Sequence, residues 1–139
     1  GVNICADNFP DSRVLGHSLA RMGAQILLSP SAWAVSAEHD PTVEPYGSLW
    51  EGSYRTLAGL YEMPVVGVSN VGWITGGPWA GRKCVGCSLA VGTCGEILAK
   101  GPYGVDAREL IIVDVELRRT GVTGTDIASM LRGKGYQGP

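Results

Sequence analysis

Val2-Asn3-Ile4-Cys5-Ala6-Asp7-Asn8-Phe9-Pro10-Asp11 orients the rest of the chain. Val2 to Cys5 is a short apolar run of strand type, and Asp7 to Asp11 breaks it with turn formers and a proline. The thiol of Cys5 is therefore expected at the end of a strand. From Ser12 to Met22 the apolar residues Val14, Leu15, Leu19 and Met22 recur at helical spacing, with Asp11 or Ser12 as N-cap and Gly23 as the stop. Ala24 to Leu28 is a continuous apolar run closed by Ser29-Pro30, which predicts a strand buried on both faces. The strand–helix–strand order predicts that it pairs in parallel with the first strand.

Farther along, residues 31–46 read as a long polar loop containing Trp33, and loops of that length carry function or disorder. A helical pattern returns over 47–62 through Leu49, Trp50, Tyr54, Leu57, Leu60 and Tyr61, and Pro64 prevents its continuation. Val65 to Ser69 is the next buried strand, followed by a second loop rich in Gly and Trp. Cys84 to Val91 and Glu96 to Ala99 then flank Gly92-Thr93-Cys94-Gly95 as a hairpin, which makes the sheet mixed. Leu110 to Val115 is the last strand signal, and beyond Thr120 the chain turns polar and Gly-rich, with a short helix predicted over Thr125–Arg132. The ends of the first three strands, at Cys5, Ser29–Trp33 and Asn70–Trp73, should meet at one sheet edge, where α/β folds place ligands. There Trp33, Asn70 and Trp73 would supply aromatic walls and an amide to a small substrate, against the plainer reading that the tryptophans anchor loops.

The 139 residues are 45% hydrophobic and 17% charged, which describes one folded unit and excludes a disordered chain. Eleven Lys and Arg against 13 Asp and Glu leave a net charge of -2. The basic residues are scattered apart from Arg82-Lys83 and Arg118-Arg119, so nothing calls for nucleic acid or an anionic membrane. No apolar run approaches the roughly 18 residues of a membrane span, and no basic-then-apolar leader is visible, so the chain is expected to be soluble and cytoplasmic. It opens on Gly1 without an initiator Met and enters a strand signal at once, which reads as a cut chain. The 21 glycines follow no period and suggest tight turns and close strand packing.

The cysteines, at 5, 84, 87 and 94, are expected as reduced thiols. Cys84 and Cys87 form a C-x-x-C, but strand residues three apart point to opposite faces and no fourth ligand stands at a recognisable spacing, so neither a metal nor a cofactor is expected. His17 and His39 read as packing or solvent residues, and Glu51 and Arg55 as a surface ion pair. The glycines around Gly76 and Gly81 lack the spacing and the Lys-Ser/Thr ending of a phosphate loop. Asp11 is taken as a helix cap, and the role of Asp7 is left open between turn capping and chemistry.

The segment Asn3 to Asp11, a cysteine with a carboxylate two residues on and then an aromatic-Pro-acid turn, resembles the nucleophile segment of the nitrilase superfamily of carbon–nitrogen hydrolases. The resemblance continues downstream. Leu15 to Trp33 is similar to that family's helix, Gly-Ala strand and Pro-x-x-Trp loop; Trp50 to Asn70 to its next helix and a strand ending in Asn; Gly81 to Glu96 to its Gly-x-Ser strand and Gly-Glu turn. Three departures touch the pocket wall: Cys5 to Pro10 is one residue short, Ala6 replaces an aromatic, and Asn8 stands near where many members carry Arg.

The resemblance implies an α/β fold, the second half of an αββα sandwich with a mixed β-sheet and flanking helices, over residues 1–118; the polar, Gly-rich composition of 119–139 predicts a C-terminal arm rather than core. It implies a thiol hydrolase of non-peptide C–N bonds, amide or carbamoyl ahead of nitrile. Cys5 would attack and form a thioester, and the backbone N–H of Ala6 would help to hold the oxyanion. The family's Glu and Lys precede the nucleophile, so a missing N-terminal half or a companion polypeptide would have to supply both. Asp7, Asp11, Glu51 and Glu62 have no spacing that would replace the base. The alternative is a non-catalytic fragment or structural subunit packed on a nitrilase-like partner. Homo-oligomers are also implied, and the free sheet edge beside the first strand predicts that the chain alone is not a stable monomer.

Overall fold

The computed structural model of the chain describes residues 1–118 and 125–135. After a 3₁₀ turn at Cys5–Asn8 come α1 (Arg13–Arg21), β1 (Leu27–Ser31), β2 (Ala34–Val35), α2 (Ser48–Tyr61), β3 (Val65–Ser69) and β4 (Val71–Trp73). They are followed by β5 (Lys83–Val85), β6 (Leu89–Val91), β7 (Ile97–Lys100) and α3 (Thr125–Gly133). A four-stranded sheet runs β1-β3-β6-β7, and a small sheet runs β2-β5-β4. β1 and β3 are parallel, with Leu27 opposite Val65 and Ser31 opposite Ser69, whereas β3/β6 and β6/β7 are antiparallel, which makes the main sheet mixed as expected.

The first residues reach the outer edge of β1 in parallel, as the strand–helix–strand order predicted. Val2 bridges Leu28, Asn3 N–H donates to the Leu28 carbonyl at 3.2 Å and Leu28 N–H to the Gly1 carbonyl at 2.9 Å. The bridge is isolated, so Val2–Cys5 is not a full strand, and Cys5 already belongs to the turn. Both helices cover one face of the main sheet. Tyr54, Leu57 and Tyr61 of α2 are fully buried with Leu27, Val65 and Val91 from the strands, and each large side chain contributes about 2 kcal/mol of transfer free energy. α1 crosses close to α2, because a Cβ on Gly16 would come within 2.7 Å of Leu57 Cδ1. α3 adds Leu131 to this core and confirms the helix predicted in the tail; the rest of the expected arm, from 119 to 124 and from 136 on, lies outside the described residues.

Three sequence expectations are corrected. β1 is not buried on both faces: Leu27 and Ser29 face the helices, but Leu28 and Pro30 are exposed, because only one face of the sheet carries helices. Cys84 to Val91 is two strands in two sheets, since Gly86 and Cys87, with φ of +71° and +59°, turn the chain between β5 and β6. Residues 110–115 keep a strand's alternation, with Leu110 and Ile112 outward and Ile111 and Val113 half-buried, but join no ladder among the described residues. Ile111 and Val113 lie instead over the uncovered face of the main sheet, beside Val66, Val68 and Ala99.

His17, buried on α1, shares a short hydrogen bond through Nδ1 with the hydroxyl of buried Tyr61 on α2. Burial, and then the charge of Arg21, hold the His17 pKa below its ordinary 6.5, and burial pushes the Tyr61 hydroxyl up to about 12. The folded state thus resists protonating His17 while the unfolded chain accepts a proton near 6.5, so stability is full above that pH and falls as the pH drops below it. Denaturant unfolding from pH 7.5 to 5.5 should show this loss, and His17→Gln should flatten it; an unchanged slope in the variant would assign the acid sensitivity elsewhere. No described helix is long and apolar enough to cross a membrane.

Candidate active site

Because Gly1–Asn3, β1 and β3 run parallel, Cys5, Ser31 and Asn70 leave the sheet at one edge, and Asn70 N–H donates to the Ser31 carbonyl at 3.0 Å. Cys5 sits there with φ of +44°, a left-handed conformation that costs a residue with a Cβ about 1 kcal/mol or more. Asp7 holds it. Its carboxylate accepts the Ile4 N–H at 2.8 Å, and its own N–H donates to the Ile4 carbonyl at 2.8 Å. Asp7 therefore caps the turn, the plainer of the two roles that the sequence left open. This 3₁₀ ladder starts at Asp7, so the N–H groups of Cys5 and Ala6 stand outside it, and Ala6 is exposed.

Asn8 anchors the turn from beneath and is fully buried. Its amide Nδ2 donates to the Cys5 carbonyl at 3.2 Å and to Ser29 Oγ at 2.7 Å, while its Oδ1 accepts from Asn3 Nδ2 at 2.8 Å. Ser53 of α2 donates a short hydrogen bond to the Asn8 carbonyl. Strand edge, sheet and helix are thereby tied to the backbone on either side of Cys5. The sequence reading assigned no role to Asn3, Ser29 or Ser53, and noted Asn8 only as a departure. The available signal was polar residues at inward-facing strand positions, Asn3 after Val2 and Ser29 after Leu27.

Aromatic rings form the wall behind the turn. Phe9 packs on Trp50 with centroids 5.1 Å apart, and Trp50 stacks on Trp33 at 4.3 Å and 4°. Trp33 is buried rather than lining an open loop. Tyr46 donates to the Trp33 carbonyl at 3.2 Å, and burial pushes its hydroxyl far above the ordinary phenol range, with the nearby thiols of Cys87, Cys84 and Cys5 adding to the shift. Burial also raises the thiols of Cys84 and Cys87, whereas Cys94 is exposed. Of the other two predicted ligand residues, Asn70 lines an open groove of about 340 Å³ with Ser69, Cys87 and Glu109. Trp73 lies at the end of β4, half-exposed beneath the Lys83 ammonium at 5.9 Å. Trp33 and Cys5 thus share one cluster, and Asn70 and Trp73 face other surfaces.

No protein-family model matches this chain, and no curated protein is significantly similar to it in sequence. Solved structures are similar over most of it. A carbon-nitrogen hydrolase from Helicobacter pylori G27 matches with a TM-score of 0.68 at 25% identity, over 99% of this chain and 45% of its own. Saccharomyces cerevisiae Nit3, a member of branch 10 of the nitrilase superfamily, matches at 0.52 and 26%, over 76% and 34%. A variant of the amidase from Nesterenkonia sp. AN1, whose active-site cysteine carries the acetamide moiety of fluoroacetamide, shares the fold at 0.57 and 22%, over 97% and 43%. The chain spans less than half the length of each of these structures.

Proposed function

We propose that this chain, which has the fold of part of a nitrilase-superfamily carbon–nitrogen hydrolase domain, is the nucleophile-bearing portion of a thiol hydrolase acting on amide or carbamoyl C–N bonds. The observation that carries the reading is Cys5 itself, held left-handed at the head of a braced turn with the Ala6 N–H beside it. Strain at a residue is retained where the surroundings enforce it, and nucleophiles are a common reason to enforce it.

In this reading a Glu from the remaining portion of the domain takes the Cys5 proton, because a free thiol is only a few per cent ionised near neutral pH. The thiolate attacks the substrate carbonyl carbon. The Ala6 N–H and a Lys from the same remaining portion hold the oxyanion, the C–N bond breaks, and the amine leaves with the proton. Water then attacks the thioester and returns the thiol. Trp33 backs the nucleophile turn through its stack on Trp50, and Asn70 and Trp73, which face other surfaces, are given no part in this reading.

Iodoacetamide labelling with peptide mapping tests the proposal on the protein together with the portion that supplies Glu and Lys. Cys5 should react about tenfold or more faster than exposed Cys94, with Cys84 and Cys87 slower still because burial opposes their thiolates. Equal rates at Cys5 and Cys94 in that assembly would reject Cys5 as nucleophile.

A further inference from the structure

From Met63 to Gly95 the chain contains no Asp or Glu, and the two basic residues of this stretch, Arg82 and Lys83, are adjacent. The fold puts them where the tip of a hairpin meets its stem, away from the chemistry assigned to Cys5. β4 and β5 form the stem, with Trp73 opposite Lys83, and residues 75–82 at the tip are all exposed. Trp73 is 53% exposed and Trp79 is 54% exposed. Two large aromatic side chains left in water on one projecting element mark a contact surface.

Charge and backbone say which contact. Arg82 lies over the Trp79 ring at 4.7 Å and Lys83 over the Trp73 ring at 5.9 Å. Lys83 also donates to the His39 carbonyl at 3.3 Å, and Asp40 stands near enough to offset part of its charge. Arg82 pairs with no carboxylate among the described residues, so the tip keeps positive charge beside exposed Pro78, Trp79 and Ala80. The tip also bonds much of its own backbone. Ile74 N–H donates to the Arg82 carbonyl and Gly81 N–H to the Ile74 carbonyl, both at 2.9 Å, Ala80 N–H to Gly77 and Arg82 N–H to Trp79, both at 3.1 Å. A peptide adding a strand would need open backbone groups, and a nucleic acid base would need a ring face that the cations already cover. A lipid headgroup layer needs neither, because indoles settle there by their amphipathic shape and a guanidinium meets phosphate.

We propose that the β4–β5 hairpin docks the protein on an anionic lipid surface, with the Trp79 indole at headgroup level and the Arg82 guanidinium against lipid phosphate. The contact is peripheral and reversible, since one short tip with a single unpaired cation gives far less than a spanning helix. The scatter of basic residues called for no such surface in the sequence, and the net charge of -2 gives no general attraction to it. The argument comes from where the fold sets this one pair, beside two exposed tryptophans and apart from any acid of its own stretch. It does not rest on the hydrolase reading.

The test is co-sedimentation of the protein, together with the remaining portion of the domain, with phosphatidylcholine vesicles that contain or lack phosphatidylserine. Binding to the anionic vesicles should be about tenfold stronger than to the neutral ones and should weaken with added salt. Trp79→Ala should lower it about tenfold, and Arg82→Gln about fivefold, with Arg82→Lys recovering most of the loss. Both side chains are exposed, so an unchanged denaturant midpoint should accompany each substitution. On binding, tryptophan emission should shift to shorter wavelength, and the difference from Trp79→Phe assigns the shift to the tip. No sedimentation, equal binding to both vesicles, or full binding by Trp79→Ala overturns the proposal, whatever the protein hydrolyses. The same emission shift with soluble polyglutamate or an oligonucleotide would make the occupant a soluble polyanion and overturn it equally.

Discussion

Asn8→Ala is expected to lower the unfolding free energy by about 3 kcal/mol and to erase the labelling selectivity of Cys5. The side chain is fully buried and bonds three partners, the Cys5 carbonyl, Ser29 Oγ and Asn3 Nδ2. Alanine leaves the buried Ser29 hydroxyl and Asn3 amide without their partner, and each stranded group costs about 1–3 kcal/mol, partly offset where water enters. The functional effect follows from the same contacts, because the Cys5 carbonyl loses its buried donor and the left-handed turn loses its brace. Denaturant unfolding at one fixed protein concentration would show a lower midpoint with an unchanged slope. A loss under about 1 kcal/mol would mean that Asp7 alone holds the turn. Asn8→Asp should fare no better at neutral pH, since a carboxylate can accept from Asn3 but cannot donate to Ser29 or Cys5.

Gly67→Ala should cost a similar amount, about 3 kcal/mol, for a steric reason. Gly67 lies in β3 under the ring of Tyr54, and a Cβ there would stand 2.2 Å from Tyr54 Oη and 2.5 Å from Cε2. Tyr54 is fully buried in α2, so the ring has no free space to swing into. In an open strand the same substitution would gain up to about 1 kcal/mol from reduced backbone entropy of the unfolded chain. A double-mutant cycle isolates the clash: in a Tyr54→Ala background, Gly67→Ala should cost less than about 1 kcal/mol. Additive costs would place the penalty in the strand backbone rather than in the packing.

Much of the architecture was legible because its signals are local. The helical spacing of Val14, Leu15 and Leu19, and of Tyr54, Leu57 and Tyr61, located α1 and α2, and Pro64 ended the second. Val65 to Ser69 forms β3 with the bounds the apolar run suggested, and the strand–helix–strand order foretold the parallel pairing with the chain start. The errors fell where a strand depends on what lies beside it. Residues 110–115 alternate like a strand, but a ladder needs a second backbone in register, and none among the described residues stands there. Leu28 reads as core by composition, yet its burial depends on which sheet face carries helices.

The candidate site divides along the same line. The sequence alone determined the thiol, the turn that follows it and the sheet edge where the chain start, β1 and β3 meet, because residue identity and periodicity are properties of consecutive positions. Only the tertiary structure decided that Asn3, Asn8, Ser29 and Ser53 form one buried network under Cys5, drawing together residues up to 50 positions apart. It likewise turned Trp33 inward onto Trp50 and set Lys100 against Glu51. Such contacts join backbones distant along the chain, and their free energy exists only once helix, sheet and turn have closed around them and excluded water.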